Sequence, residues 1–286
     1  MNCKRISVSN FRNIENESIE FSDGVNILIG ENAQGKTNLL EAVYYISVGK
    51  SFRANHTNEI IRFGQDSAKI SLDFCDSLRE QNITMSVFRD RKRNVEKNGV
   101  RIDRLSDIIG SFRAVLFCPE HLSLIKEGPA MRRNYLDIAI SRMRPIYMHS
   151  LQKYNYILKQ RNMLIKKASE DRKTFDATVE FWSGQLAHEA AVISKFRLEY
   201  LKNASEHVSD CFYEMTGDNE RPELIYMGSS RQPEEEYDDI QLTENKYLEL
   251  LLENHEREIY AGATLWGIHK DDIEIKLNSK PARLYA

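Results

Sequence analysis

The sequence predicts an α/β fold: a head built on a strand–glycine loop–helix unit, with a helical domain inserted into it. Three observations carry this. The apolar run Val25-Asn26-Ile27-Leu28-Ile29 enters a loop bounded by Gly30 and Gly35, and residues 38–48 follow with Leu39, Leu40, Val43, Tyr44 and Ile46 at helical spacing. Residues 68–104 alternate apolar and polar in the manner of strands. From Tyr147 the apolar period lengthens to that of a helix.

Taken in order, residues 4–22 read as two short antiparallel strands, with Ile6, Val8 and Phe11 on one face and a turn at 13–18 before Ile19. Residues 25–29 read as a buried strand, being short and strongly apolar. Residues 68–74 and 83–88 alternate, and Asn98-Gly99 before Val100-Arg101-Ile102 is a hairpin signal. Residues 114–117 form another short apolar run, closed by Cys118-Pro119. Residues 147–168 place Leu151, Tyr154, Leu158, Met163 and Ile165 near one face. Residues 174–215 contain no proline and bring Val179, Trp182, Leu186, Ala190, Ile193, Arg197 and Tyr200 into one stripe. That predicts one helix of roughly 40 residues, about 60 Å long, of the kind found in an arm or lid. Residues 217–239 read as loop, 242–257 as a helix, and Ile273–Leu277 as a strand entering a hairpin at Asn278-Ser279-Lys280. The expected organisation is a head over 1–120, a helical arm or lid over 121–264, and a return to the head over 265–286.

Composition narrows the class. Hydrophobic residues at 41% and charged residues at 29% describe a folded soluble chain, not a disordered one. No apolar run approaches the roughly 20 residues that span a bilayer, and Met1-Asn2-Cys3-Lys4-Arg5 leads straight into strand alternation, so a cytoplasmic protein is expected. Cys3, Cys75, Cys118 and Cys211 lie far apart without a CxxC pair, which argues against a disulfide framework or a zinc site. A net charge of −3 does not announce a nucleic-acid partner. The charge is unevenly placed, however: nine Lys/Arg fall between Arg142 and Lys173 against Glu170 and Asp171, while acids gather at Glu234-Glu235-Glu236-Tyr237-Asp238-Asp239.

Gly30-Glu31-Asn32-Ala33-Gln34-Gly35-Lys36-Thr37 is a complete GxxxxGK[ST] motif. The glycines free the backbone so that successive N–H groups can turn toward a phosphate, and the following helix aims its positive end at the same anion. Lys36 is expected at the β- and γ-phosphates of ATP and the Thr37 hydroxyl on Mg²⁺. Hydrolysis needs, in addition, an acid at the end of another apolar strand. Cys118-Pro119 separates the run 114–117 from Glu120, and Lys270-Asp271-Asp272 precedes its strand instead of following it. No residue is therefore assigned a catalytic role, and the chain as given is expected to bind ATP without useful turnover.

The stretch from Leu28 through the loop to Ala42 closely resembles the phosphate loop of the RecF family of bacterial recombination mediators. Gly49-Lys50-Ser51-Phe52-Arg53, Ile61-Arg62-Phe63-Gly64, Phe117-Cys118-Pro119-Glu120, Arg132-Arg133-Asn134-Tyr135-Leu136-Asp137 and 154–162 resemble further family blocks, in family order from Phe11 to Tyr285. The resemblance implies an ABC/SMC-type P-loop ATPase head that is a weak DNA-dependent ATPase and sandwiches ATP in a homodimer. It also implies DNA binding at single-stranded regions or junctions, work with RecO and RecR in recombinational repair, and roles in replication and SOS induction. Two departures stand out. The family's signature motif and its strand ending in paired Asp residues are expected only after Ala286. Trp266-Gly267-Ile268-His269-Lys270-Asp271-Asp272 has Ile and Lys where the family has Pro and Arg, and Lys does not replace a bidentate Arg.

Other candidates are weighed against plain structural roles. Arg12 matches a position that touches nucleotide phosphates in related heads; the alternative is an exposed hairpin Arg. Glu120 falls near a γ-phosphate-sensing loop of relatives. Arg132 and Arg133 could bind phosphate or pair with Asp137 one helical turn on. His269 could meet a phosphate or a metal, or be a satisfied core residue. The basic stretch 142–173 could contact DNA or be a solvated helix face, with the basic hairpin 89–104 as the other surface. Tyr154 and Tyr156 could stack on bases, although helical spacing favours core packing. The rival to the repair ATPase is a P-loop phosphotransferase whose helical region is a substrate lid.

Overall fold

Two antiparallel strands, β1 (Asn2–Phe11) and β2 (Ile14–Glu20), open the chain, as their alternation requires. This is seen in a computed structural model that describes residues 1–54, 56–217 and 220–284, apart from the side chain of Glu120. Tyr285 and Ala286, the end of the family resemblance, lie outside the described residues. Helix α1 (Lys36–Val48) follows, then β3 (Ser67–Cys75), β4 (Glu80–Phe88), β5 (Asn94–Lys97) and β6 (Val100–Arg101). The strands form one antiparallel sheet in the order β2-β1-β3-β4-β5-β6. The register sets Ile6 against Leu72 and Val8 against Ile70, so one face is continuously apolar. Leu39, Ala42, Tyr45 and Ile46 of α1 join its core with Phe74, Ile83 and Met85. Each such fully buried aliphatic side chain contributes about 1.5–3 kcal/mol. Serines and threonines occupy the other face and bond across strands, Ser7 to Ser18 and Ser71 to Thr84, both at 2.9 Å. Glutamates along edge strand β2, and the shortness of β6, discourage pairing with a further chain. Asn98 and Gly99 take φ of 52° and 76°, the twin left-handed residues that the β5–β6 turn needs.

The expected buried strand over 25–29 is a correction. The segment forms no strand and has no ladder partner among the described residues, and Val25, Ile27 and Ile29 are 87%, 77% and 90% exposed. Alternation alone decides this. Leu28 turns in against the core, while the other three face a side on which no described strand lies. Residues 114–117 behave likewise: Ala114 packs inward, and Val115 and Phe117 are 97% and 81% exposed.

A second unit spans Cys118–Ala286, and the first is Met1–Phe117. It contains α2 (Ser123–Lys126), α3 (Pro129–Ser141), α4 (Pro145–Lys167), α5 (Arg172–Thr216), β7 (Pro222–Met227), α6 (Ile240–Glu253), α7 (His255–Ala261), β8 (Asp272–Leu277) and β9 (Lys280–Pro281). The long helix is real, at 45 residues. Asp171 caps its start by accepting from the Thr174 N–H at 3.0 Å, and Gly217 ends it in the left-handed region. Three details differ from expectation. Residues 222–227 are a strand, not a loop, because they pair with β8, Tyr226 opposite Ile273. The helix over 242–257 is two helices, broken at Asn254, whose side-chain amide donates to the Leu250 carbonyl at 2.9 Å. Finally, residues 265–281 fall in the second unit, where β8 and β9 extend the β7 sheet and Asp271 is buried against Arg197 of α5.

Candidate functional site

The loop Gly30–Thr37 is shaped by two left-handed residues, Ala33 at φ 68° and Gly35 at φ 100°. A side chain at Gly35 would be strained by φ alone, and its Cβ would also meet Asn13 Oδ1 at 3.1 Å and Ile14 Cγ1 at 3.3 Å. Gly30 works differently from the expectation. Its φ is not positive, and an added Cβ would meet nothing closer than the Lys36 side chain at 4.0 Å, so neither strain nor crowding within the chain requires glycine there. Lys36 Nζ donates to the carbonyls of Gly30 and Glu31, both at 2.6 Å, which suspends the ammonium over the loop. Gly35 is the N-cap of α1, with no side-chain cap and no acid in the first turn. The N–H groups of that 13-residue helix are left facing the loop without a competing carboxylate, which fits a bound phosphate.

Neighbouring elements hold the loop in place. Asn13, in the β1–β2 turn, donates to Ala33 O at 2.7 Å and accepts from Asn38 Nδ2 at 2.7 Å. Arg53 Nη1 reaches Asn38 Oδ1 at 3.2 Å. Arg12, expected at nucleotide phosphates, spends its guanidinium otherwise. Nε and Nη2 grip Glu41 at 3.0 and 2.6 Å, and Nη1 donates to Glu59 O at 2.9 Å. Glu41 is fully buried on α1, one turn after Thr37, and also accepts from Ser51 Oγ, with Arg53 at 3.9 Å. Sequence reading passed over Glu41. The available signal was a carboxylate among Leu39, Leu40, Ala42 and Val43, on the buried side of an amphipathic helix.

The remaining candidates belong to the second unit's scaffold. Arg132 forms a two-bond pair with Asp272 at 2.7 and 3.0 Å and donates to the carbonyls of Leu124 and Glu127, while Arg133 donates to Asp271 O at 2.7 Å. Asp137 pairs with neither; it accepts from Arg197 at 2.8 Å and Tyr147 at 2.5 Å. Asp271, only 1% exposed, takes Arg197, the Tyr226 hydroxyl and the Ser229 N–H. Burial raises its carboxyl pKa above the usual carboxylate value, and Arg197 offsets only part of that rise. His269 accepts from Tyr154 Oη at 2.6 Å and donates through Nε2 to Thr264 O at 3.1 Å. Burial lowers its pKa to about 4, so near neutrality it is an uncharged scaffold residue. Gly267 has φ 130°, and any Cβ there would lie 2.2 Å from the Tyr154 hydroxyl. Lys270 is exposed. Tyr154 is core, whereas Tyr156 is 61% exposed. The side chain of Glu120 lies outside the described residues.

A family profile described as the RecF/RecN/SMC N-terminal domain matches residues 2–128. With the loop geometry above, it defines the class: a phosphate-loop protein with an SMC-type ATPase head fold. The DNA replication and repair protein RecF of Clostridium novyi (strain NT) is 34% identical over 285 residues, covering 100% of this chain and 76% of that protein. RecF of Ruminiclostridium cellulolyticum is 36% identical over 286 residues, again with 76% of the relative covered. A structure of the recombination mediator protein RecF-ATPrS in the RecFOR pathway superposes with a TM-score of 0.93 at 33% identity, over 99% of this chain and 76% of that one. RecF-ATP of the same pathway gives 0.90 at 32% identity, over 100% and 76%. The chain belongs to the RecF family. The rival expectation of a phosphotransferase with a helical lid gives way to this.

Proposed function

We propose that this chain binds ATP at Gly30–Thr37 as the nucleotide-binding part of a RecF-type, DNA-acting protein of recombinational repair. The observation that carries the reading is the uncapped N-terminus of α1 beneath a loop held open by Ala33 and Gly35, with Lys36 poised above it. Backbone N–H groups from Glu31 to Lys36 and the Lys36 ammonium would hold the phosphates, and the Thr37 hydroxyl would ligate Mg²⁺ on the nucleotide. Arg12 takes an indirect part: by clamping Glu41 it fixes α1, and through its neighbour Asn13 the same turn fixes Ala33. By family membership the proposal extends to DNA, to RecO and RecR, to a homodimer formed on ATP, to replication and SOS induction, and to a cytoplasmic setting. Among the described residues no helix is long and apolar enough to cross a membrane.

Calorimetry with ATP and Mg²⁺ on the wild type and on Lys36→Ala tests the site. The variant loses the one side-chain cation at the loop and should bind at least about tenfold more weakly, roughly 1.4 kcal/mol. Its fold should survive, because among the described residues Lys36 bonds to the loop it covers and to nothing else. Equal affinity of the two proteins would remove the assignment.

A further inference from the structure

Helix α4 has 23 residues and no carboxylate among them. It carries Lys153, Lys159, Arg161, Lys166 and Lys167. Arg161 is buried against Glu258 at 2.6 Å, and Lys153 reaches Glu189 at 3.4 Å. Lys159, Lys166 and Lys167 form no ion pair among the described residues, whereas exposed Lys202 and Lys246 of the same unit sit on Asp238 and Glu249. The helix buries Tyr147, Tyr154, Ile157, Arg161 and Ile165. At 100° per residue, the opposite stripe is centred on Lys159 and includes Tyr156, Lys166 and Lys167.

Two features separate this stripe from an ordinary solvated face. Cations in the last turn offset the helix dipole, which accounts for Lys166 and Lys167 but not for Lys159 in the middle of the helix. An exposed aromatic ring, Tyr156, stands one turn from Lys159, and Lys159 and Lys166 themselves line an open cavity of about 390 Å³ together with Leu158 and Met163. The cations extend over about 12 Å of helix axis, the length of about three to four nucleotides.

We propose that this stripe of α4 is a nucleic-acid interface and that it takes a single strand, with phosphates on Lys159, Lys166 and Lys167 and a base stacked on Tyr156. The proposal rests on the reading of the chain as a DNA-acting protein and adds where, and in what form, the nucleic acid binds. Lysine ammonium groups recognise phosphate in any strand, but an exposed ring stacks only on a base that is free of its partner.

The experiment measures anisotropy of a labelled oligothymidylate and of a labelled duplex against the full 286-residue chain across a salt series. K159E/K166E/K167E should weaken oligothymidylate binding at least about tenfold and flatten the log–log salt slope by roughly 2, at about 0.7 per lost phosphate contact. Tyr156→Ala should weaken oligothymidylate about fivefold or more and leave the duplex unchanged, while Tyr156→Phe keeps wild-type binding. All four positions are exposed, so the fold should survive: Tyr156→Ala should melt as the wild type does, and the charge reversals in the last turn should lower the melting temperature by only a few degrees. R91E/K92E/R101E, in the basic hairpin of the first unit, serves as the comparator and should bind as the wild type does. If the α4 variant keeps its slope and the hairpin variant loses it, this interface is wrong while DNA binding stands. Equal weakening of strand and duplex by Tyr156→Ala refutes the single-strand assignment. A wild-type chain that binds neither probe refutes the DNA reading itself.

Discussion

Mild acid should destabilise the second unit, and His269 should account for a defined share of the loss. The ring sits between Tyr154 Oη and Thr264 O, with burial and the charges of Lys270, Arg133 and Arg161 all opposing protonation. Its pKa is thereby lowered from 6.5 to about 4. The sign follows from linkage. Between these values the unfolded chain binds a proton that the folded chain refuses, so the stabilisation is complete above pH 6.5 and is lost as pH falls toward 4. At roughly 1.4 kcal/mol per pH unit the full loss is about 3 kcal/mol, of which about 2 kcal/mol is gone by pH 5. Trp182 and Trp266, the two tryptophans of the chain, both lie in the second unit, so their fluorescence during urea unfolding reports that unit alone. Wild type and His269→Gln are to be compared at pH 7 and pH 5. The variant should be weaker at pH 7, by about 1–2 kcal/mol for its altered hydrogen bonds, yet lose about 2 kcal/mol less than the wild type on acidification. Parallel pH dependence in the two proteins would refute the buried, neutral histidine and reopen a ligand-facing role.

Two further outcomes follow from the same structure. Arg161 and Glu258 are both fully buried, 2.6 Å apart but not aligned as a hydrogen bond, so Arg161→Met should cost about 3–5 kcal/mol by stranding the carboxylate; Arg161→Met with Glu258→Met should recover most of it, read by the same fluorescence. Ile27→Ser with Phe117→Ser should reduce binding of a hydrophobic dye and light scattering by the 286-residue chain at a stability change within about 0.5 kcal/mol, because both side chains are exposed; unchanged dye binding would show that these runs are covered in solution.

Legibility of the sequence tracked the range of the interactions involved. The phosphate loop was readable because its chemistry is local: eight consecutive residues supply the backbone turn, the lysine and the helix start. The length of α5 was readable for the same reason, from an unbroken period without proline between Asp171 and Gly217. The reading failed where a partner lies far along the chain. β7 depends on β8, about fifty residues later; its own signal was the four-residue apolar run Leu224–Met227, short and set in an otherwise polar stretch. Residues 25–29 failed in the opposite sense: a short, strongly apolar run reports a segment suited to burial, but it says nothing of whether neighbours are present to cover it.

The block 266–272 shows why motif-shaped residues with reactive side chains are the harder case. His, Lys and two Asp in succession suggest phosphate or metal chemistry, yet three of the four are engaged by residues remote in sequence. His269 meets Tyr154, Asp271 meets Arg197 and Tyr226, and Asp272 meets Arg132 across 140 positions. Once these bonds form, the side chains have little capacity left for a ligand, and the block's task becomes joining α3, α4, α5 and β7. Glu41 and Arg12 make the same point beside the loop. A carboxylate and a guanidinium that each look free in the sequence satisfy one another, so that Arg12 and Glu41 tie the β1–β2 turn to α1. The phosphate loop escapes this, because its recognition groups are mostly backbone N–H at an uncapped helix start, where no distant side chain competes for them.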